Sequence, residues 1–328
     1  MPSYDKVRWG ILGCGNIAKK FAEGLKSVDD AELAACGSRT RDNARAFGEQ
    51  FHVPRRHAGY EALAADKGVD AIYVATPHVF HKDNTMLCLK HGKAVLCEKP
   101  FAINAAEARE AIDLARSRKR FLMEAMWTRF LPVMCKVREL LADGAVGEVR
   151  MVTADFAFRA GWNPEGRLLN PALGGGGLLD VGVYTISFAH MILGRPTKVT
   201  GAAEIGRTGV DEQAAMVLSY DTGHIALLAC GVRTGTPHNA CIFGTEGSIH
   251  VPAFWHATEL TLTRYGEDPK RIEPEFRGNG YNYQVEEVHR CLRAGKTESA
   301  VMPLDETLAV METMDDLRAQ WGLKYPME

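Results

Sequence analysis

Val7-Arg8-Trp9-Gly10-Ile11-Leu12-Gly13-Cys14-Gly15-Asn16-Ile17-Ala18 is the stretch that decides the fold. An apolar, strand-like run ends on Gly-x-Gly-x-x-Ala, and Ala18 to Ser27 continues as a helix. Gly13 allows a tight turn, Gly15 lets backbone approach a pyrophosphate, and Ala18 is small enough for close helix–strand packing. With Asn16 and Ile17 between them, the helix N-terminus offers N–H groups and partial positive charge to phosphate. A lone glycine pattern also suits an ordinary tight turn. The apolar strand directly before it is what points to a dinucleotide.

The next strand, Glu32 to Ser38, carries the finer signal. Chains that prefer NAD place an acid near its end, about 20 residues after the glycines, for the ribose 2′-hydroxyl. Here the end reads Ser38-Arg39-Thr40-Arg41, with no acid before Asp42. Arg39 and Arg41 are either solvated loop residues or partners of a 2′-phosphate, which guanidinium matches well. The reading favours NADP over NAD.

Outward from there the alternation holds. Helices are expected at 42–51, 60–65 and 81–91. Asp70 to Ala75 reads as a strand ending in Thr76-Pro77-His78, and Phe121 to Ala125 as the last strand. Asn104 and Glu107 form a capping-box pattern before a helix with Ala108, Ile112 and Ala115 on one face. Between them Ala94 to Cys97 stops at Glu98-Lys99-Pro100, where proline ends a sheet ladder. A charged pair at the carboxyl end of a buried strand is either a surface ion pair or a group at a ligand crevice. Strand–helix alternation of this kind means a parallel, doubly wound sheet. His78 and His81 invite a metal, but no carboxylate or cysteine stands beside them at ligand spacing, so none is expected.

After Trp127 the pattern changes, so the chain is read as a dinucleotide-binding domain over 1–126 and a second domain over 127–328. Val133, Val137, Leu140 and Leu141 mark a helix that stops at Asp143-Gly144, and 148–158 is a long strand. Four glycines, 174–177, lead into Leu178-Leu179-Asp180-Val181-Gly182-Val183-Tyr184. A helix starting near them places Asp180 and Tyr184 on one face. The glycines then suggest a loop through which substrate approaches, with a helix-start acid and a half-buried tyrosine as the alternative. From Lys198 to Ile272 regular turns separate apolar runs, as in an antiparallel sheet, and helices at 281–294 and 305–321 follow.

The chain has 328 residues, 46% of them hydrophobic and 24% charged, with a formal net charge of -2. That length suggests about two domains. The charge balance argues against nucleic-acid or cationic membrane binding. No apolar run is read as reaching the ~18 residues of a membrane span. Met1 to Lys6 lead straight into a strand pattern without a signal-peptide core. The 8 cysteines form no Cys-x-x-Cys pair, and most lie in apolar runs. Reduced thiols in a cytoplasmic protein are expected.

Taken together, Gly13–Ala18, Thr76-Pro77-His78-Val79-Phe80-His81, Glu98-Lys99-Pro100 and Gly175-Gly176-Gly177-Leu178-Leu179-Asp180-Val181-Gly182 resemble the glucose–fructose oxidoreductase and inositol dehydrogenase family. The likeness covers nearly the whole chain. Met123 to Phe130 and Tyr184 are similar to the dimeric dihydrodiol dehydrogenase branch, which includes NADP-dependent sugar dehydrogenases. Many relatives carry histidine where Tyr184 stands, and asparagine where His78 stands. The resemblance implies an N-terminal Rossmann domain and an α+β C-terminal domain. The latter has a large, open, mostly antiparallel sheet that often forms the homodimer or higher homo-oligomer interface. It also implies that Lys99 and Tyr184 face the nicotinamide, and that Gly13, Gly15, Asn16, Ile17, Ser38, Arg39, Arg41, Thr76, Pro77, His78, His81, Glu98 and Lys99 bind NADP.

The expected reaction is hydride transfer between NADP and a secondary alcohol or carbonyl of a sugar or trans-dihydrodiol. Tyr184 is the candidate general acid/base and Lys99 its tuner, since a nearby ammonium favours phenolate. Glu98 orients the lysine or ribose, and Asp180 orients substrate hydroxyls or Tyr184. Trp127, Arg129, Phe130, Phe156 and Phe158 either wall the substrate pocket or pack in the core. An anhydrosugar or other carbonyl reductase, and a non-catalytic NADP sensor, stand as alternatives.

Overall fold

The computed structural model describes residues 5–328; Met1 to Tyr4, part of the stretch read for a signal peptide, lie outside the described residues. Two compact units result, Met1–Trp127 with Arg277–Leu308, and Thr128–Phe276 with Ala309–Glu328. A single cut after Met126 therefore leaves out the return of residues 277–308 to the first unit.

In the first unit the strands are β1 (Val7–Leu12), β2 (Ala31–Ser38), β3 (Arg55–Ala58), β4 (Ala71–Val74), β5 (Ala94–Glu98) and β6 (Leu122–Ala125). The helices between them are α1 (Asn16–Leu25), α2 (Arg41–Gln50), α3 (Tyr60–Ala64), α4 (His81–Lys90) and α5 (Ala105–Arg118). All six strands run parallel in the order β3-β2-β1-β4-β5-β6. The order reverses direction between β1 and β4, and doubly wound sheets bind ligands beyond the strand ends at such a point. Strands covered on both faces read as unbroken apolar runs. Val7, Trp9, Ile11 and Leu12 of β1 and all of Ala71–Val74 are accordingly buried. Each large side chain so buried contributes about 1.5–3 kcal/mol. The pattern starts α1 at Ala18, but Gly15 is its N-cap and Asn16 its first residue, so the glycine motif already belongs to the helix.

α6 (Pro132–Ala142) opens the second unit, and β7 (Val149–Ala157) follows. α7 (Val183–Leu193) packs on β7. β8 (Lys198–Ile205), β9 (Asp211–Ser219), β10 (Ile225–Gly231), β11 (Ala240–Gly244), β12 (Gly247–Val251), β13 (Leu260–Arg264) and β14 (Lys270–Ile272) complete an eight-stranded sheet. Its order is β14-β13-β12-β11-β7-β10-β9-β8, antiparallel except for β7 with β10. The fold is thus a Rossmann-like α/β sheet followed by a larger, mostly antiparallel one.

Two helices close the chain. α8 (Tyr281–Arg293) lies against α1 in the first unit, and its buried His289 accepts the Trp9 indole N–H at 2.9 Å. α9 (Leu304–Trp321) ends in the second unit. Residues Pro171–Leu193 correct the expectation of no long apolar run. By length and composition they suffice to cross a membrane, yet 83% of their most apolar window is buried inside the fold. They form a core segment.

Candidate functional site

The residues read as cofactor-binding lie at the carboxyl ends of the parallel strands and just beyond them. Gly13 has φ +99, and its N–H bonds to the Gly37 carbonyl at 2.9 Å. A Cβ there would come within 2.9 Å of the Ala75 carbonyl oxygen, so the loop after β1 is wedged between the ends of β2 and β4. Only glycine fits both the dihedral and the space. Gly15 differs: a Cβ on it would meet nothing within 4 Å. Its room is open, and no side chain caps α1 behind it. The first N–H groups of an α-helix have no intrahelical acceptor. N–H groups left free in this way at a helix start favour an anion such as a phosphate.

At the end of β2, Ser38 is buried while Arg39 and Arg41 are exposed. Thr40 between them caps α2, accepting the Asn43 N–H. Asp42 is paired with Arg45 at 3.3 Å. At the end of β4, Pro77 is exposed and His78 half-buried. Phe80, part of the same motif, lies exposed.

Two of the expected cofactor residues lie inside the fold. His81 is fully buried. Its Nδ1 lies 2.7 Å from the Pro100 carbonyl oxygen and its Nε2 2.8 Å from that of Thr76. The ring thereby ties the loop after β4 to the loop after β5. Burial pulls its pKa below the usual range, against the two carbonyls, which favour the charged form. Glu98 is also buried. Its carboxylate accepts the Tyr73 hydroxyl and, at 3.1 Å, the Lys99 backbone N–H. It fixes the backbone of Lys99 from the interior. Lys99 itself is half-buried at the strand end, and its peptide to Pro100 is cis.

In the second unit the helix after the glycines begins as a π-helical turn, Leu178–Gly182, and becomes regular at Val183. Asp180 and Tyr184 therefore sit one wide turn apart. Asp180 is buried and binds Arg167 at 2.8 Å. The glycines do not form an approach loop, which corrects that reading. Gly174 to Gly177 are buried, and a Cβ on Gly175 would press on the Leu168 carbonyl at 2.9 Å.

Tyr184 lies 5.4 Å, ring to ring, from Phe156. Phe156 stacks on Trp255 at 5.1 Å and meets His238 at 4.8 Å. His238 is held at both ring nitrogens: its Nε2 lies 2.7 Å from the Ala157 carbonyl oxygen, and the Trp255 indole N–H bonds its Nδ1 at 3.3 Å. Trp255, His238 and Arg167 stand far from Tyr184 in the chain or in an irregular loop, and no local motif announces them.

The other aromatic candidates divide. Trp127 belongs to the first unit, where it is buried and stacked on Tyr281 at 4.7 Å. Arg129 packs in the interior, its guanidinium on the Ser187 hydroxyl at 2.9 Å and carbonyl at 2.7 Å. Phe130 is buried as well, and Phe158 is half-buried. Among the described residues no group of three or more His, Cys, Asp or Glu is placed to hold a metal ion. All eight cysteines are free thiols.

Residues 7–126 match the oxidoreductase family with an NAD-binding Rossmann fold, and residues 134–250 the GFO/IDH/MocA C-terminal domain. The chain is 38% identical to trans-1,2-dihydrobenzene-1,2-diol dehydrogenase of Mus musculus, over 98% of this chain and 99% of that one. It is 35% identical to the Homo sapiens protein of the same name, with the same coverage. A 3-ketoreductase from Actinomadura kijaniata, solved with NADP and TDP-benzene, superposes with TM-score 0.86 at 26% identity, covering 96% of this chain and 97% of that one. An aldose-aldose oxidoreductase from Caulobacter crescentus, complexed with glycerol, gives 0.87 at 25% identity, covering 95% and 96%.

Proposed function

Because the chain belongs to the GFO/IDH/MocA family of oxidoreductases, we propose that it is an NADP-dependent dehydrogenase acting on a secondary alcohol of a trans-dihydrodiol or sugar. The observation that carries this is the crevice after β1 and β2. It combines an open Gly15, an uncapped α1 and two exposed guanidinium groups where an NAD enzyme needs a carboxylate. NADP, when bound, supplies the carbon that accepts or returns hydride.

The chain's own residues then have separable tasks. The N–H groups at the start of α1 hold the pyrophosphate, and Arg39 and Arg41 bind the 2′-phosphate. Glu98 and His81 fix the backbone on either side of Lys99. Tyr184 takes the hydroxyl proton as hydride leaves and returns it in the reverse direction. A phenol with pKa near ~10 is a poor base at neutral pH, and Lys99 is proposed to lower it. Asp180, held by Arg167, orients Tyr184 or a substrate hydroxyl. Phe156, Trp255 and His238 offer aromatic faces that suit a benzenoid diol or the apolar face of a sugar ring.

Carbonyl reduction by the same residues is the second reading, supported by the similarity to the ketoreductase. Self-association through the outer face of the eight-stranded sheet is proposed as well. The test is cofactor absorbance at 340 nm with NADP and with NAD, across pentoses, hexoses and trans-1,2-dihydrobenzene-1,2-diol. Turnover with NADP on at least one of these is expected. Tight NADP binding with no turnover on any of them would instead mark a sensor.

A further inference from the structure

We propose that Asp211 is a positioning residue for Asp180 and Tyr184, acting through the glycine tetrad and not by touching substrate. The proposal rests on Tyr184 being the proton-transfer residue.

Asp211 opens β9 and is fully buried. Its Oδ2 accepts the Leu178 N–H at 2.6 Å. Leu178 is the first residue of the π-helical turn, so the bond is made where the helix leaves the glycines. The other carboxylate oxygen occupies the space a side chain at 176 would need: a Cβ on Gly176, whose φ is +118, would overlap Oδ1. A Cβ on Gly177 would lie 3.3 Å from Oδ2. The Tyr325 hydroxyl donates to the Gly175 carbonyl at 2.7 Å from the other side. A carboxylate and a phenol thus hold the tetrad, and the tetrad sets where Asp180 and Tyr184 begin their turn.

Stability alone does not explain a carboxylate here. Oδ1 has no hydrogen-bond partner, and a buried polar atom left unsatisfied is costly. Asparagine would offer the Leu178 N–H an oxygen without burying a charge. What the charge adds is a shorter, stronger bond at a helix start, where anions are favoured.

The groups facing Asp211 are Arg318 from α9, Tyr325 from the tail and Cys230 from β10. Arg318 is committed to Glu328 at 2.7 Å and Asp315 at 2.6 Å. Burial holds the Cys230 thiol and the Tyr325 phenol well above their usual ranges. For Asp211 burial pushes the pKa up, the N–H groups of Leu178, Asp211 and Gly177 pull it down, and it rests at about 7. Of these four, Asp211 alone changes charge near neutrality. The hold on the turn is strongest above that pH and relaxes below it.

The experiment measures kcat, KM and the pH profile for oxidation of trans-1,2-dihydrobenzene-1,2-diol by NADP, with NADP affinity by fluorescence titration. Asp211→Ala is expected to lower kcat about tenfold or more, since a small displacement of a proton-transfer group is costly, while NADP affinity stays within about twofold. Asp211→Asn is expected to restore kcat to within about threefold of wild type. Wild type should show two ionisations on the acid side of log kcat, and Asp211→Asn one. Should Asp211→Ala fail to fold, Asp211→Asn decides the matter by its profile. An Asp211→Asn protein that keeps both ionisations, or an Asp211→Ala protein with wild-type kcat, overturns the proposal. Tyr184→Phe is run alongside. If it is inactive and the Asp211 variants behave as wild type, only the Asp211 assignment falls; if it turns over at full rate, the proton-transfer reading falls and takes this one with it.

Discussion

Tyr184 must exchange one proton per turnover if it serves the carbinol oxygen, and phenylalanine keeps its packing against Phe156 while removing that proton. Tyr184→Phe is therefore expected to lose about 10²–10⁴-fold in kcat, the usual worth of general acid–base catalysis, with NADP affinity unchanged. Stopped-flow single turnovers check this, and a rate within tenfold of wild type would exclude the role. Lys99→Met should lower kcat and move the alkaline-going limb of its profile upward, because an ammonium that favours phenolate is gone. An unmoved limb would leave Lys99 a binding residue only. At the cofactor, replacing Arg39 and Arg41 together by alanine should raise KM for NADP tenfold or more and leave KM for NAD within about twofold, since only the former carries the phosphate. Equal changes for both cofactors would refute the 2′-phosphate assignment. These residues are legible in the sequence because each sits in a short motif whose geometry is local: Gly13 and Gly15 after a strand, the arginines at the next strand end. His81 is not, since its two carbonyl partners, Thr76 and Pro100, become neighbours only when β4 and β5 pair.

At the scale of elements, periodicity reveals those that bury an apolar face and misses those held by polar contacts. β3, Arg55-Arg56-His57-Ala58, has no apolar alternation, yet it pairs in parallel with Ala35–Ser38. What fixes this edge strand is Asp66. Its carboxylate binds Arg55 at 2.8 Å, His57 at 2.9 Å and the Gly68 N–H at 2.7 Å. Burial alone would raise the Asp66 pKa, but the bonds from His57, Gly68 and Arg55 outweigh it and bring it down to about 2. A depressed carboxyl contributes stability above its unfolded pKa, near 4, and loses it as pH falls through the folded value. Allowing for the exposure of Arg55, Asp66→Ala should cost about 1 kcal/mol at neutral pH. Chemical denaturation should show that difference constant above about pH 5, shrinking below about pH 4 and lost as pH falls through about 2. Hydrogen exchange should quicken at residues 55–58 in the variant; unchanged protection there would show that backbone pairing alone holds β3. The π-helical turn at Leu178–Gly182 escaped the sequence for a related reason. Its first N–H bonds the Asp211 carboxylate, more than thirty residues downstream, and a glycine run by itself does not distinguish an open loop from a tightly packed one.

For the molecule as a whole, the open side of the second sheet poses the remaining question of assembly. Along β9 and β10 the buried residues alternate with outward ones, and Val217, Ile225 and Leu227 of the outward set are 39%, 42% and 43% exposed. Met151 lies beside Ile225, Val217 stands opposite Leu227, and Ala215 opposite Ala229, so the apolar positions form one strip across three strands. A flat face of small and branched side chains suits a second copy of itself, related by a twofold axis that brings like residues together. A stable homodimer buries about 1,200–2,000 Å² or more. Placing glutamate at 217 alone would confound association with sheet stability. Val217→Glu combined with Leu227→Lys avoids this, because opposite charges directly across an antiparallel pair attract. The sheet is then expected to keep its thermal stability within a few degrees while its outer strip becomes charged. Sedimentation velocity should give a dimer or larger species for the wild-type chain and a monomer for the double variant. A wild-type chain that sediments as a monomer at every concentration, or a double variant that still associates, would mean that this face is not where copies meet.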